Sequence, residues 1–235
     1  MTHKNIWHNQ VPNSHEFQKW TLNQISQLAS QPEIRKMGLE ILSQVNHLGF
    51  GHKNSWLGVP IIRLPEHIVL QQEIIFEEKP DLIVEIGVAR GGGLLLNASI
   101  QQIVGLEPNV IGIDNKVFPH TWDAIQQSRF SGSIEIIEGD STSKQVIDRV
   151  KPALLKSKKT LLVLDSDHSY THVLSELEMY CPLLPVKSVV LVCDTLIDEL
   201  PPETYVGRTW SDGKGPLHAI ENFLDSTKSF EPYLR

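Results

Sequence analysis

Short apolar runs alternate with longer amphipathic segments along most of the chain. The runs cover residues 82–86, 110–113, 134–137, 161–164 and 189–192. The segments between them cover 92–103, 122–128, 144–155 and 170–181, and a further helical pattern covers 65–78. Because β-rich runs that alternate with helices are typical of a parallel sheet covered on both faces, the pattern predicts a Rossmann-like, doubly wound α/β fold with a mostly parallel sheet.

The first 60 residues have a different pattern. Apolar residues recur at helical spacing in two groups, 17–28 and 34–45, which predicts two amphipathic helices. Residues 49–60 carry glycines and aromatic residues, and we expect a connecting loop there. We therefore divide the chain into an N-terminal helical extension with its loop, 1–60, and a main domain, 61–235. The apolar stripes of the two helices need a surface to pack on, either the main domain or a second subunit.

Composition narrows the class of protein. The chain has 235 residues, 40% of them hydrophobic, which is enough for one sizeable core. Its net charge of −7 argues against a general nucleic-acid binder. Cys181 and Cys193 lie in apolar surroundings without metal-ligand spacing, which indicates buried thiols in a reducing compartment. Residues 1–5 lack the apolar region of a signal peptide and no run is long enough to cross a bilayer, so we expect a cytoplasmic protein without a membrane span.

A glycine-rich turn follows the first apolar run. Residues without a Cβ let the backbone bend sharply and approach a ligand, and the free N–H groups of the next helix suit polar atoms. The spacing E-x-G-x-x-x-G-G differs from the G-x-G-x-x-G of dinucleotide sites. It resembles motif I of class I S-adenosylmethionine-dependent methyltransferases, although an ordinary tight connection has the same composition. The expected cofactor contacts from this turn are Glu85, Gly87, Ala89, Arg90, Gly91 and Gly92.

Every predicted strand contains or precedes an acidic residue. These residues are Glu85, Asp114, Glu138, Asp140, Asp165, Asp167 and Asp194. A single one would be a helix cap or a solvated turn, but five acidic strand ends predict a site, because ligands bind outside the carboxyl ends of parallel strands. Asp114 follows the second strand, where a carboxylate accepts hydrogen bonds from ribose hydroxyls. That role is shared by NAD and S-adenosylmethionine sites.

The fourth and fifth strand ends predict a metal site. Asp165, Asp167 and Asp194 offer the hard oxygen ligands that Mg²⁺ prefers. A divalent ion there would hold a substrate hydroxyl and lower its pKa. His168, three residues after Asp165, is then placed to take the proton as general base, with a purely structural role as the alternative. We therefore predict that Asp165 and His168 are catalytic and that Asp165 also contacts the cofactor.

Four segments carry a family resemblance: VEIGVARGG at 84–92, LDSDHSYTHV at 164–173, VCDT at 192–195 and GKGPLHAIENFL at 213–224. Together they resemble the cephalosporin hydroxylase and rhamnosyl O-methyltransferase family, a branch of the class I methyltransferases found with antibiotic and cell-surface glycan biosynthesis. The resemblance implies S-adenosylmethionine as cofactor, a Mg²⁺ site, and methylation of a hydroxyl on a saccharide or natural-product-like small molecule. It also implies a homo-oligomer and places Asp140 and Ser141 beside the adenine, where helix capping is the alternative.

Two features depart from the family pattern. The residue before Asp194 is usually acidic and shares the metal, whereas here it is Cys193, a poor ligand for Mg²⁺. After 213–224, too few residues remain for the usual C-terminal hairpin of two strands. We therefore expect a weakened metal site and a sheet that lacks this hairpin.

Other functions remain open on the sequence. An NAD-dependent dehydrogenase would share Asp114 but needs a different glycine spacing. A hydroxylation or methoxylation partner in antibiotic biosynthesis would need a redox metal, and the oxygen-rich acids favour Mg²⁺ over iron. A catalytically silent cofactor-binding scaffold is the non-enzymatic alternative. Arg90, Arg208, Trp210 and Lys214 are candidates for substrate contacts, with solvated surface as the alternative.

Overall fold

The computed structural model of the chain describes residues 14–46, 48–201, 204 and 214–233. The chain divides into two compact units, 1–44 and 45–235. The first unit contains helix α1 (Ser14–Ala29) and most of helix α2 (Pro32–Asn46), the two helices predicted from the apolar spacing. Pro32 stands at the first position of α2, where its missing N–H costs no hydrogen bond.

The second unit contains seven strands and six helices among the residues that the structure describes. In chain order they are β1 (Ser55–Trp56), β2 (Val59–Pro60), α3 (Pro65–Glu78), β3 (Leu82–Ile86), α4 (Gly92–Ile103), β4 (Val110–Asp114), α5 (Pro119–Gln126), β5 (Ile134–Glu138), α6 (Lys144–Lys156), β6 (Thr160–Leu164), α7 (Tyr170–Tyr180), β7 (Val189–Val192) and α8 (Pro216–Ser226). Short 3₁₀ helices cover Phe50–His52, Ser131–Ser133, Cys181–Leu183 and Thr195–Glu199. The five predicted strands and the helices between them are thus all present, with ends that differ by a few residues.

Strands β3 to β7 form one parallel sheet in the order β5-β4-β3-β6-β7. Successive strand side chains point to opposite faces, and an apolar cluster covers each face. One cluster includes α3, α4 and α5, and the other includes α6, α7 and α8. This confirms the Rossmann-like α/β prediction. In the described part of the chain no strand follows β7.

The winding of the sheet reverses beside β3. The chain moves from β3 outward to β5 and then returns to the other side of β3 with β6. Ligands of doubly wound folds bind at such a switch point, outside the carboxyl ends of the strands. The chain after β3 and the chain after β6 meet there, since the N–H of Asp165 donates to the carbonyl of Ile86 at 2.8 Å.

The segment expected to be a connecting loop contains a short hairpin, β1–β2, which the sequence analysis did not predict. Its turn is Leu57-Gly58, and both residues have positive φ, 51° and 85°, as a two-residue hairpin turn requires. Trp56 Nε1 donates to Ser99 Oγ at 2.8 Å, which holds the hairpin against α4. The first compact unit ends at Gln44, whereas the sequence led us to divide the chain after residue 60.

Asp198, in the segment after β7, bonds the start of α8. This buried carboxylate accepts hydrogen bonds from the N–H groups of Gly215 and Leu217 and contacts Nδ1 of His218 at 2.6 Å. It thereby satisfies free N–H groups at the start of α8. Within the described ranges, no helix has the length and apolar character that crossing a bilayer demands.

Candidate active site

The glycine turn after β3 is closed against the end of β6. Gly87 has φ 98° and Gly91 has φ 90°, values that residues with a Cβ rarely adopt. A Cβ on Gly87 would meet the carbonyl group of Asp165, 2.5 Å from its carbon. Ala89 also has positive φ, 47°, although it carries a side chain. Glycine at position 87 therefore lets the two strand ends run side by side.

Glu85 supports this turn from inside the protein. Its side chain is 1% exposed, and a Cβ on Gly93 would overlap its carboxylate. Asn97 Nδ2 donates to Oε2 at 2.6 Å, and Nη2 of Arg63 lies 3.2 Å from Oε1. Burial raises the pKa of Glu85, and the charge of Arg63 opposes that shift. Glu85, which was predicted to contact the cofactor, thus lies buried beneath the turn, bonded to Asn97 and beside Arg63.

Asp114 ties the glycine turn to the end of β4. Its Oδ2 accepts hydrogen bonds from the N–H groups of Val88 at 2.9 Å and Ala89 at 3.0 Å. Its Oδ1 accepts from the N–H of Lys116 at 3.0 Å. The same residue lines a cavity of about 620 Å³ at the switch point, which suits the predicted contact with a ribose.

Asp140 and Ser141 also line this large cavity. Asp140 accepts hydrogen bonds from the N–H and Oγ1 of Thr142 at 2.9 and 2.8 Å, and these bonds lower its pKa. Ser141 Oγ donates to Glu176 Oε1 at 2.7 Å. Both predicted adenine contacts therefore lie at the cavity. The capping alternative is wrong for both, because the N-cap of α6 is Ser143, whose Oγ accepts from the N–H of Val146 at 3.3 Å.

A buried carboxylate on α7, Glu176, was missed by the sequence analysis. Besides Ser141, its Oε1 accepts from Ser166 Oγ at 2.8 Å and contacts His172 Nε2 at 2.9 Å. The hydrogen bond to Glu176 raises the pKa of His172. Because His172 and Ser166 line the large cavity, Glu176 organises one wall of it. The spacing of four residues between His172 and Glu176 on a predicted helix was the available signal.

Three residues could hold a divalent cation: Asp165, His168 and Asp194. One ligand atom from each lies within 4.8 Å of the others. Asp165 and Asp194 follow the adjacent strands β6 and β7, and His168 Nε2 lies 3.2 Å from Asp194 Oδ2. Asp194 has a left-handed backbone, φ 57° and ψ 26°, which aspartate adopts more readily than most residues with a Cβ and which turns the chain at the strand end.

The chemistry of these three residues fits Mg²⁺. Burial and the neighbouring charge of Asp165 raise the pKa of Asp194, so the two acids repel each other. A divalent cation between them would offset that repulsion, and carboxylate oxygens are the ligands that Mg²⁺ prefers.

One predicted ligand, Asp167, lies outside this group, as does Cys193, which stands where the family has an acid. The structure does not bring Asp167 into the group of three, because its Oδ1 accepts from the N–H of Ser169 at 2.8 Å. Burial by itself would raise the pKa of Asp167, but the hydrogen bonds to Ser169 outweigh that effect and lower it. Cys193 is 6% exposed and belongs to an apolar cluster. Burial raises the pKa of its thiol, which keeps the sulfur neutral.

A smaller cavity of about 130 Å³ adjoins the metal-binding group. It shares Gly87, Ala89 and Asp165 with the large cavity, and residues 60–63 form another part of its wall. Arg90 lines it as well, and its Nη1 lies 2.9 Å from His120 Nε2.

The remaining substrate candidates follow β7. Lys214 is exposed, whereas Arg208 and Trp210 lie outside the described residues.

Comparison with known proteins identifies relatives. The profile of the family described as rhamnosyl O-methyltransferase/CmcI matches residues 49–233. A rhamnosyl O-methyltransferase of Mycobacterium bovis is 29% identical over 177 residues, which are 74% of this chain and 67% of the relative. A protein of the same name in Mycobacterium leprae is 27% identical over 172 residues, 72% of this chain and 69% of the relative.

Solved structures with the same fold include two methyltransferase-like proteins. A CmcI structure with Mg and SAM (S-adenosylmethionine) has a TM-score of 0.51 and 18% identity, and the match covers 74% of this chain and 66% of that one. A structure described as a caffeoyl-CoA O-methyltransferase from Staphylococcus aureus has a TM-score of 0.52 and 16% identity, with 89% and 88% covered. This chain therefore spans about two thirds of the length of its CmcI and mycobacterial relatives.

Proposed function

The chain belongs to the rhamnosyl O-methyltransferase/CmcI family, and from this premise we propose that it is an S-adenosylmethionine-dependent O-methyltransferase. Its acceptor is a hydroxyl group on a saccharide or a natural-product-like small molecule, and its metal is Mg²⁺. The names of the mycobacterial relatives support the sugar-like acceptor. The oxygen-rich ligands support Mg²⁺.

One observation carries the proposal. The large cavity beside the glycine turn meets the Asp165–His168–Asp194 group at the switch point, and Asp165 lines both cavities. Methyl transfer needs the cofactor and the acceptor oxygen held side by side, because orientation removes much of the entropic barrier. A cofactor cavity that adjoins a cation site provides this arrangement.

The proposed roles follow from the contacts. S-adenosylmethionine would supply the methyl group, and Mg²⁺ would lower the pKa of the acceptor hydroxyl. His168 takes the hydroxyl proton, and Asp194 at 3.2 Å stabilises the resulting imidazolium. Asp165 and Asp194 hold the cation, and we assign no ligand role to Asp167, whose Oδ1 accepts from the N–H of Ser169. The residues proposed to bind the cofactor are Glu85, Gly87, Ala89, Arg90, Gly91, Gly92, Asp114, Asp140, Ser141 and Asp165.

We extend the proposal to the whole chain. Residues 61–235 form the methyltransferase domain, and residues 1–60 serve assembly into a homo-oligomer. The apolar side chains of α1 and α2 support this role, since seven of them are more than 40% exposed in the single chain. Two buried, unpaired cysteines fit a reducing compartment such as the cytoplasm.

Calorimetric titration tests the cofactor and the metal together. We expect S-adenosylmethionine to bind the wild-type protein, NAD not to bind, and Mg²⁺ to give a separate signal. Asp194→Asn should abolish the Mg²⁺ signal. Asp167→Asn is the matched control, because it removes a nearby carboxylate that lies outside the group of three. Its Mg²⁺ affinity should stay near that of the wild type.

A second measurement tests turnover. Release of S-adenosylhomocysteine is followed with a panel of deoxy sugars, glycosides and phenols, with and without Mg²⁺. Cofactor binding without turnover of any acceptor would favour the silent scaffold, and absence of S-adenosylmethionine binding would refute the proposed function.

A further inference from the structure

The guanidinium of Arg63, just after β2, is buried at the centre of the site. The residue is 6% exposed, and each nitrogen of the guanidinium has its own partner. Nε donates to Asp165 Oδ2 at 2.8 Å, Nη1 donates to Gln71 Oε1 at 2.5 Å, and Nη2 lies 3.2 Å from Glu85 Oε1. Such a planar fork, bonded on all sides, has one orientation.

A closed ring of buried side chains fixes that orientation. Gln71 on α3 donates through Nε2 to Asn97 Oδ1 at 2.6 Å, and Asn97 on α4 donates through Nδ2 to Glu85 Oε2 at 2.6 Å. Glu85 completes the ring at Arg63. All four residues are at most 6% exposed. The position of Nε is therefore set by the core and is independent of any ligand.

Among the residues that the structure describes, Arg63 makes one side-chain bond to the metal-binding group, and its partner is Asp165. The charges of Glu85 and Asp165 outweigh the effect of burial and raise the pKa of Arg63, so the guanidinium is cationic. A charged N–H that donates to a carboxylate makes a strong, directional hydrogen bond. One oxygen of Asp165, Oδ2, is thus engaged by the protein, which leaves Oδ1 for a cation.

We propose that Arg63 is a positioning residue for the cation site, which orients Asp165 through the bond between Nε and Oδ2. The inference rests on the proposed function, since it assumes that Asp165 and Asp194 bind Mg²⁺. Partners that orient a metal ligand change metal affinity about 10- to 100-fold when they are removed. Arg63 therefore links the packing of α3, α4 and β3 to the strength of the cation site.

The test compares Arg63→Lys with Gln101→Leu in calorimetric titrations of the full chain with MgCl₂ and without cofactor. Lysine keeps the charge but lacks the planar fork whose three nitrogens face Asp165, Gln71 and Glu85. Gln101→Leu is the matched control, because Gln101 on α4 is buried and its replacement breaks two hydrogen bonds, to Pro80 and Asn109, that lie outside the ring. We expect Arg63→Lys to raise the Kd for Mg²⁺ about 10-fold or more. Gln101→Leu should change it less than about 2-fold, although urea unfolding shows a stability loss for both.

Asp194→Asn separates failure of this inference from failure of the proposed function. If that variant binds Mg²⁺ like the wild type, the cation site itself is wrong. If it loses Mg²⁺ while Arg63→Lys and Gln101→Leu behave alike, Arg63 is structural and the inference is overturned. Should Arg63→Lys not fold, the Nε–Hε resonance of Arg63 is followed by NMR in the wild type. It should shift on Mg²⁺ addition with the calorimetric Kd, and an unchanged resonance would overturn the inference.

Discussion

Replacing Gly87 by alanine tests whether the glycine turn requires the ends of β3 and β6 to lie in direct contact. The added Cβ would lie 2.5 Å from the carbonyl carbon of Asp165, well inside the 3.4 Å at which ordinary contact begins. The obstacle is backbone, which cannot rotate away as a side chain would. Relief therefore requires the ends of β3 and β6 to separate, and this displaces Asp165.

The expected magnitude has two parts. A residue with a Cβ at positive φ costs about 1–2 kcal/mol. Steric overlap in a packed interior adds about 1–3 kcal/mol. Gly87→Ala should therefore lower the free energy of unfolding by about 2–5 kcal/mol, a large share of the stability of an ordinary domain.

Gly105→Ala is the matched control. Gly105 has φ 83°, close to the 98° of Gly87, but a Cβ there meets nothing within 4 Å. Gly105→Ala should lower the free energy of unfolding only by the backbone strain of a residue with a Cβ at positive φ, about 1–2 kcal/mol. Both variants are compared with the wild type by urea unfolding, and S-adenosylmethionine affinity is measured by calorimetry. We expect loss of cofactor affinity in Gly87→Ala alone. Equal stability losses, or unchanged cofactor binding in Gly87→Ala, would refute the reasoning.

Two other predictions concern titratable side chains. The hydrogen bond to Glu176 raises the pKa of His172 in the folded protein. The ion pair between them therefore stabilises the fold fully below the pKa of an unfolded histidine, about 6.5, and this contribution is lost as the pH rises through the pKa of the folded protein. His172→Asn should therefore cost more stability in urea unfolding at about pH 6 than at about pH 8.5, and an equal cost at both would contradict the assignment. Burial raises the pKa of Cys181 to about 12 and that of Cys193 well above its usual range. Neither thiol should react with dithionitrobenzoate at about pH 8 in the folded protein, whereas both should react in urea, and rapid labelling of the native chain would contradict their burial.

The family and the fold could be predicted from the sequence because both depend on short, local patterns of residues. Apolar runs and helical spacing report burial directly, so all five strands of the sheet were predicted within one or two residues of their ends. The motif around Gly87 and the acids after β6 carried the family resemblance, which the match over residues 49–233 confirms. The hairpin β1–β2 was missed because its strands are two residues long and show no periodicity.

The types of side chain at the carboxyl edge of the sheet could be read from the sequence, because parallel strands bring the residues that follow them to one edge whatever the details of packing. Which of those residues touch each other depends on the folded protein. Asp167 is two residues from Asp165 yet bonds its own turn, whereas Asp194 comes from the neighbouring strand. Arg63 reaches Asp165 across 102 positions of the chain, and no local pattern marks such a partner. Contacts of that kind depend on how helices pack over the sheet, and that packing is set by the whole core at once.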